Sequence, residues 1–136
     1  MTVTVQSDPF DPGAELTAFL PRAGEGAVAS FVGTVRGEGI ETLTLDHYPG
    51  FTEAELEQIA RDIRDRFALT AIRIVHRHGE MRAGEPIMFA ATAAPHRRAA
   101  LDALDELMEK LKHYAPFWKR ESGPAGDHWL EPPPPE

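Results

Sequence analysis

The chain has no cysteine among its 136 residues. That excludes a disulfide scaffold, a thiolate metal centre and a cysteine nucleophile. Positive charge is also scarce: 14 Lys and Arg stand against 22 Asp and Glu, a formal net charge of -8. Nonspecific nucleic-acid binding needs a basic face, so no nucleic-acid partner is expected. No window reaches the roughly 18 apolar residues of a membrane span. The first eight residues, Met1 to Asp8, carry neither the basic region nor the apolar run of a leader. The expected setting is the cytoplasm, with no membrane contact.

What positive charge there is gathers in one place. Six of the 14 Lys and Arg lie between Arg97 and Arg120. A local cationic site inside an acidic protein points to a small anionic ligand. The densest stretch is His113-Tyr114-Ala115-Pro116-Phe117-Trp118-Lys119-Arg120-Glu121. Phe and Trp side by side do not suit a surface loop, and Lys and Arg directly after them do not suit a core strand. The stretch reads as a rigid, half-buried segment that aims cations into a cavity, with Lys112 just before it.

The pattern along the chain predicts one α+β domain over residues 1–131 and a proline-rich tail over 132–136. Strands are expected at 2–6, 27–36, 42–48, 70–78, 86–93, 117–121 and 128–131. Helices are expected from Pro12, capped by Asp11 and ending before a loop at 21–26; over 53–67, with Thr52 as cap and Glu55 in a capping box; and over 95–113, opened by Pro95 and ended by Pro116. The last helix shows an apolar stripe of Ala99, Leu101, Leu104, Leu107, Met108 and Leu111. The second and third strands read as a hairpin, residues 79–85 as a turn, and Gly33 as a bulge. The sheet is expected to be largely antiparallel.

Four groups carry chemistry. Pro95-His96-Arg97-Arg98 puts cationic side chains at a helix N-terminus, where each costs about 0.3–1 kcal/mol. Either an anion sits there or the charges are simply solvated. Lys112 and Lys119 flank the proline break, and a lysine partly desolvated among cations can act as base or nucleophile. Lys112 is about 16 residues along the helix from His96, or roughly 24 Å, so the two ends cannot share a small ligand unless the chain folds back or a second subunit contributes. His76 and His78 sit at i and i+2 of a strand, a spacing that suits a metal. No carboxylate or third histidine shares their register, so a structural pair is the better reading. Arg36, beside Gly37 and Gly39, is a weak phosphate-clamp candidate.

At these residues the sequence resembles the large, catalytic subunit of molybdopterin synthase. The matching blocks are Phe31-Val32-Gly33-Thr34-Val35-Arg36, Leu45-Asp46-His47-Tyr48-Pro49-Gly50-Phe51-Thr52-Glu53, Val75-His76-Arg77-His78-Gly79-Glu80, His96-Arg97, Leu111-Lys112 and Ala115-Pro116-Phe117-Trp118-Lys119-Arg120-Glu121. They keep the family's order across most of the chain, and the His-Tyr-Pro-Gly and Ala-Pro-Phe-Trp-Lys blocks are specific.

The resemblance implies an α/β-hammerhead fold with an additional small β-sheet, and a homodimer at the centre of a heterotetramer. It implies a small ubiquitin-like sulfur-carrier subunit whose C-terminal Gly-Gly thiocarboxylate enters the pocket. The sulfur would pass to cyclic pyranopterin monophosphate, and two transfers would build a dithiolene. By matching position, Arg36, His96, Arg97 and Arg120 would bind the phosphate. Lys112 would sit by the thiocarboxylate carbonyl, Lys119 would assist proton transfer and ring opening, and Thr34, Val35 and Glu121 would line the pocket. No resident cofactor and no metal are implied. A tail-binding module without catalysis and a metal hydrolase built on His76 and His78 are the competing classes.

Overall fold

The computed structural model describes residues 2–37, 42–115, 117–123 and 126–130, with no side-chain detail at 118, 120–123 and 126–130. Among the described residues, the order is β1 (Val3–Gln6), α1 (Pro12–Ala23), β2 (Ala27–Thr34), β3 (Thr42–His47), α2 (Phe51–Phe67), β4 (Ala71–Arg77), β5 (Gly79–Arg82), β6 (Pro86–Ala94), α3 (Arg97–Tyr114), β7 (Phe117–Gly123) and β8 (Gly126–Leu130). The strands form two four-stranded sheets, ordered β1-β4-β6-β2 and β5-β3-β7-β8. Among the described residues, only the β1–β4 pairing is parallel. This is the α+β class expected, with the second, smaller sheet of the hammerhead arrangement.

The first sheet is covered on both faces, which explains why β6 reads Pro-Ile-Met-Phe-Ala-Ala-Thr-Ala-Ala with hardly a polar residue. Phe89, Ala91 and Ala93 of β6 pack with Val75 against Phe19 and Ala23 of α1. Met88, Ala90 and Ala94 belong to the opposite layer, with Ile72, Ile74 and the buried faces of α2 and α3. Alanines on both faces leave no bulk between sheet and helices, and the Thr92 hydroxyl donates to the Ala100 carbonyl at 2.7 Å.

That close approach also corrects the expected stripe on α3. Its buried residues are Ala100, Ala103, Leu107 and Leu111, while Leu101 is 56% exposed. Leu107 and Leu111 of the expected stripe are buried, and Ala99, Leu104 and Met108 pack against the core, but at the closest approach the sheet takes the small Ala100 and Ala103 rather than Leu101. The helix starts at Arg97 with His96 as cap, two residues after Pro95.

Four further expectations fail for identifiable reasons. The second and third strands do not form a hairpin: β2 pairs with β6 in one sheet, and β3 lies between β5 and β7 in the other. The Val35 amide donates to the Glu85 carbonyl at 3.0 Å and its carbonyl accepts from Gly84 at 2.9 Å, which turns the chain out of the first sheet. Residues 79–82 are a strand rather than part of a turn, because β3 supplies a partner distant in sequence. Helix α1 continues through Pro21 to Ala23; the proline's missing amide and its crowding of the carbonyl four residues back fall in the last turn, and the helix ends two residues later. Finally, α2 begins two residues early. Gly50, at φ 85°, is the cap, the Glu53 carboxylate accepts from the Gly50 amide at 2.8 Å, and Thr52 is buried, its hydroxyl accepting from the Tyr48 amide at 2.9 Å. The expected irregularity at Gly33 is present as a register shift between Gly33 and Thr34. The chain beyond Leu130 lies outside the described residues.

Candidate functional site

A cavity of about 380 Å³ opens where the C-terminal end of α3 meets the two sheets. Its floor is apolar: Leu43 and Leu45 of β3, Met88 of β6 and Leu111 of α3. Three nitrogen-bearing side chains stand in its wall, Lys112, Lys119 and His76. Local backbone chemistry brings the lysines together. The Ala115 amide donates to the Leu111 carbonyl at 3.2 Å, closing α3, and Phe117 then donates to Ala115 at 2.9 Å as the chain reverses into β7. In β7, residues 117 and 119 share a face. Phe117 is buried in the core while the exposed Lys119 lines the same cavity as the exposed Lys112.

His76 was read from the sequence as half of a histidine pair. Here its ring stacks on Phe117, with centroids 4.0 Å apart and 15° between planes. Its Nδ1 lies 2.9 Å from the Arg77 carbonyl. A carbonyl can only accept, so Nδ1 carries the proton and Nε2 keeps its lone pair. Burial, and then the charges of Lys119 and His78, push its pKa down to about 4, against the opposing pull of the Arg77 carbonyl. His78 stacks instead on His47, at 3.9 Å and 25°. Burial and then His47 lower its pKa too. The two imidazoles of the strand are thus taken up by different stacks, and among the described residues no cluster of three His, Cys, Asp or Glu could hold a metal.

The lowered pKa of His76 has a measurable consequence. The unfolded chain takes up a proton that the fold refuses between pH 6.5 and about 4. This stability is therefore full above pH 6.5 and is lost as the pH falls towards 4. Thermal unfolding should show a loss on the order of 1–2 kcal/mol between pH 7 and pH 5 that His76→Gln largely removes. An unchanged pH slope in the variant would contradict the assignment.

The remaining candidates are placed as follows. Thr34 and Arg36 are exposed just beyond Gly33, which lines the cavity, but neither lines it themselves. Val35 is 3% exposed and belongs to the core, not to the cavity wall expected of it. His96 and Arg97 are exposed at the far end of α3 from Lys112, roughly 24 Å away by helix rise. Arg120 and Glu121 are in β7, registered with Thr44 and Leu43, and their side chains lie outside the description, as do residues 38–41 beyond Arg36 and Gly37. A single chain therefore brings Lys112, Lys119 and His76 together and leaves His96 and Arg97 apart.

Sequence reasoning missed Arg77 entirely. It is 5% exposed, donates to the Glu85 carboxylate at 2.7 Å and to the Ser7 carbonyl at 2.9 and 3.2 Å, and holds the Glu85 carboxyl below its ordinary range. This pin ties the end of β1 to the turn before β6, beside the strand that carries His76. Its position between two histidines hid it, and no alternation marks it, because Ile74 and Val75 are both buried and the strand is covered on both faces.

Comparisons with known proteins agree with one another. A family model described as MoaE protein matches residues 5–114. A molybdopterin synthase catalytic subunit from Caulobacter vibrioides is 50% identical over 135 residues, covering 97% of this chain and 90% of the relative. Among solved structures, the MoaE protein of Burkholderia ambifaria superposes with a TM-score of 0.83 at 40% identity, over 96% of this chain and 89% of that one. The crystal structure of molybdopterin synthase from Staphylococcus aureus gives 0.84 at 27% identity, over 94% and 96%.

Proposed function

Because this chain belongs to the MoaE protein family, we propose that it is the catalytic subunit of a molybdopterin synthase, a sulfurtransferase of molybdenum cofactor biosynthesis working in the cytoplasm. The sulfur donor is the C-terminal thiocarboxylate of a small ubiquitin-like subunit, and the acceptor is cyclic pyranopterin monophosphate. Two transfers give the dithiolene. The observation that carries the reading is the convergence of Lys112 and Lys119 on one apolar cavity in an otherwise acidic protein.

The physical problem is that both reactants are anions. Charges interact several-fold more strongly at a partly desolvated site than in bulk water. Two ammonium groups over an apolar floor can therefore hold a thiocarboxylate beside a phosphorylated pterin that would otherwise repel it. Lys112 polarises the thiocarboxylate carbonyl. Lys119 moves the proton and stabilises charge on the phosphate oxygen released as the ring opens. The chain contains no cysteine, so all sulfur arrives with the partner. No helix among the described residues is long and apolar enough to cross a membrane.

Arg36, His96, Arg97 and Arg120 bind the phosphate, with Thr34 and Glu121 at the rim. His96 and Arg97 are too far along α3 to reach their own chain's cavity, so a second copy supplies them. The active unit is then a homodimer with a small subunit at each end. The test is reconstitution of the purified chain with thiocarboxylated small subunit and the cyclic precursor. Dithiolene product, formed with two thiocarboxylates consumed per pterin, is expected. Tail binding without product would indicate a docking module instead.

A further inference from the structure

We propose that His76 is a positioning residue for Lys119: its Nε2 lone pair accepts a hydrogen bond from the Lys119 ammonium and holds that flexible side chain over the cavity. The inference rests on the catalytic reading of Lys119 given above. Three features of the structure support it. His76 and Lys119 line the same cavity from different sheets, β4 and β7. The imidazole cannot rotate freely, because it is stacked on Phe117, two residues before Lys119 on the same strand face, and anchored through Nδ1 to the Arg77 carbonyl. That anchor fixes the tautomer, so the remaining nitrogen is an acceptor.

The surrounding charges agree with this role. Lys119 on β7 and Lys112 on α3 line the cavity with the ring, His78 lies two residues along its own strand, and Arg77 meets the ring through its backbone carbonyl while its guanidinium is held by Ser7 and Glu85. The Lys119 charge, and after it that of His78, disfavours a proton on His76. A neutral acceptor among cations is what an ammonium needs from its neighbour, since a protonated imidazole would repel it. A lysine side chain has much rotamer freedom to lose, and a fixed acceptor lowers that loss at the moment of reaction.

The experiment compares two variants that divide the imidazole's functions. In His76→Asn the amide reaches the Nδ1 position and can keep the Arg77 contact, but nothing replaces Nε2. In His76→Gln the longer amide places a carbonyl oxygen near the Nε2 position. With the reconstituted enzyme, His76→Asn should lower kcat about 10- to 100-fold with KM for the pterin within about twofold, and His76→Gln should stay within about threefold of wild type. If both variants lose activity only in proportion to their lost thermal stability, His76 is merely structural and the proposal falls while the sulfur-transfer reading stands. A second readout is independent of turnover. In imidazole 15N spectra of the wild-type chain, Nδ1 should be the protonated nitrogen, and Lys119→Ala should move the Nε2 resonance towards that of an unbonded lone pair. A proton on Nε2, or no response to Lys119→Ala, overturns the proposal even if no product forms under any condition.

Discussion

Lys119→Ala should reduce dithiolene formation by at least about 100-fold while leaving the fold and the small-subunit complex in place. The magnitude follows from what one preorganised charge contributes when it acts on developing charge in a water-poor site, about 10²–10³ in kcat. The selectivity follows from where Lys119 stands. Its side chain is exposed at the cavity mouth, whereas the residue that anchors the strand, Phe117, is buried and stacked on His76. Removing an exposed lysine changes stability by no more than about 0.5 kcal/mol. The backbone ladder from β3 to β7 does not involve its side chain. Circular dichroism, thermal unfolding and co-elution with the small subunit check the controls, and product fluorescence checks the rate. Lys119→Arg should not restore full rate, because a planar fork cannot occupy the place of a compact ammonium. Near-normal product from Lys119→Ala would remove this residue from the chemistry.

The second large effect lies at Gly26 and concerns the frame that holds the other cations. Gly26 sits at φ 131°, and a Cβ placed there would lie 2.5 Å from the Ala94 carbonyl oxygen, 2.7 Å from that of Pro95 and 2.8 Å from the Pro95 Cα. All three are backbone atoms, so no rotamer change relieves the contact. The close approach joins the start of β2 to the point where β6 gives way to α3, directly before His96 and Arg97. Gly26→Ala should therefore cost about 3 kcal/mol or more, a drop in Tm on the order of 10 °C for a domain of this size. Gly84 provides the control. It too has positive φ, at 87°, but nothing lies within 4 Å of its Cβ position, so Gly84→Ala should cost only about 1 kcal/mol. Equal losses in the two variants would show that backbone conformation, not the close approach, dominates at Gly26.

These two residues mark what a sequence discloses and what it hides. Helix α2 was legible because Leu56, Ile59, Ala60 and Ile63 repeat at helical spacing and are all buried. Lys119 was legible because cations directly after Phe and Trp contradict every simple environment except a cavity wall. Gly26 was not, since its neighbours in space, Ala94 and Pro95, are remote in sequence. The same holds for β5, which has strand character only because β3 lies beside it, and for β2, whose partner β6 follows three intervening strands and a helix. On α3, hydrophobic size pointed to Leu101, but a sheet face made of alanines selects small residues for close packing, and Ala100 and Ala103 fill it. His76 and His78 read as a structural pair rather than a metal site, and only the partners of their rings were hidden. Two histidines at i and i+2 suggest a metal, yet whether they converge depends on Phe117 and His47, which β3 and β7 bring from elsewhere.

One geometric question governs the account, namely whether two anions meet inside a single ring of cations. The separation of His96 and Arg97 from Lys112 along α3 makes the answer depend on a second copy of the chain. The decisive measurement is a crystal structure of the assembled protein with the phosphorylated pterin bound. The account predicts the phosphate held by His96 and Arg97 of one copy, within reach of the cavity where Lys112 and Lys119 of the other copy stand. A pterin seated elsewhere, with these side chains on separate outer faces of the dimer, would contradict it.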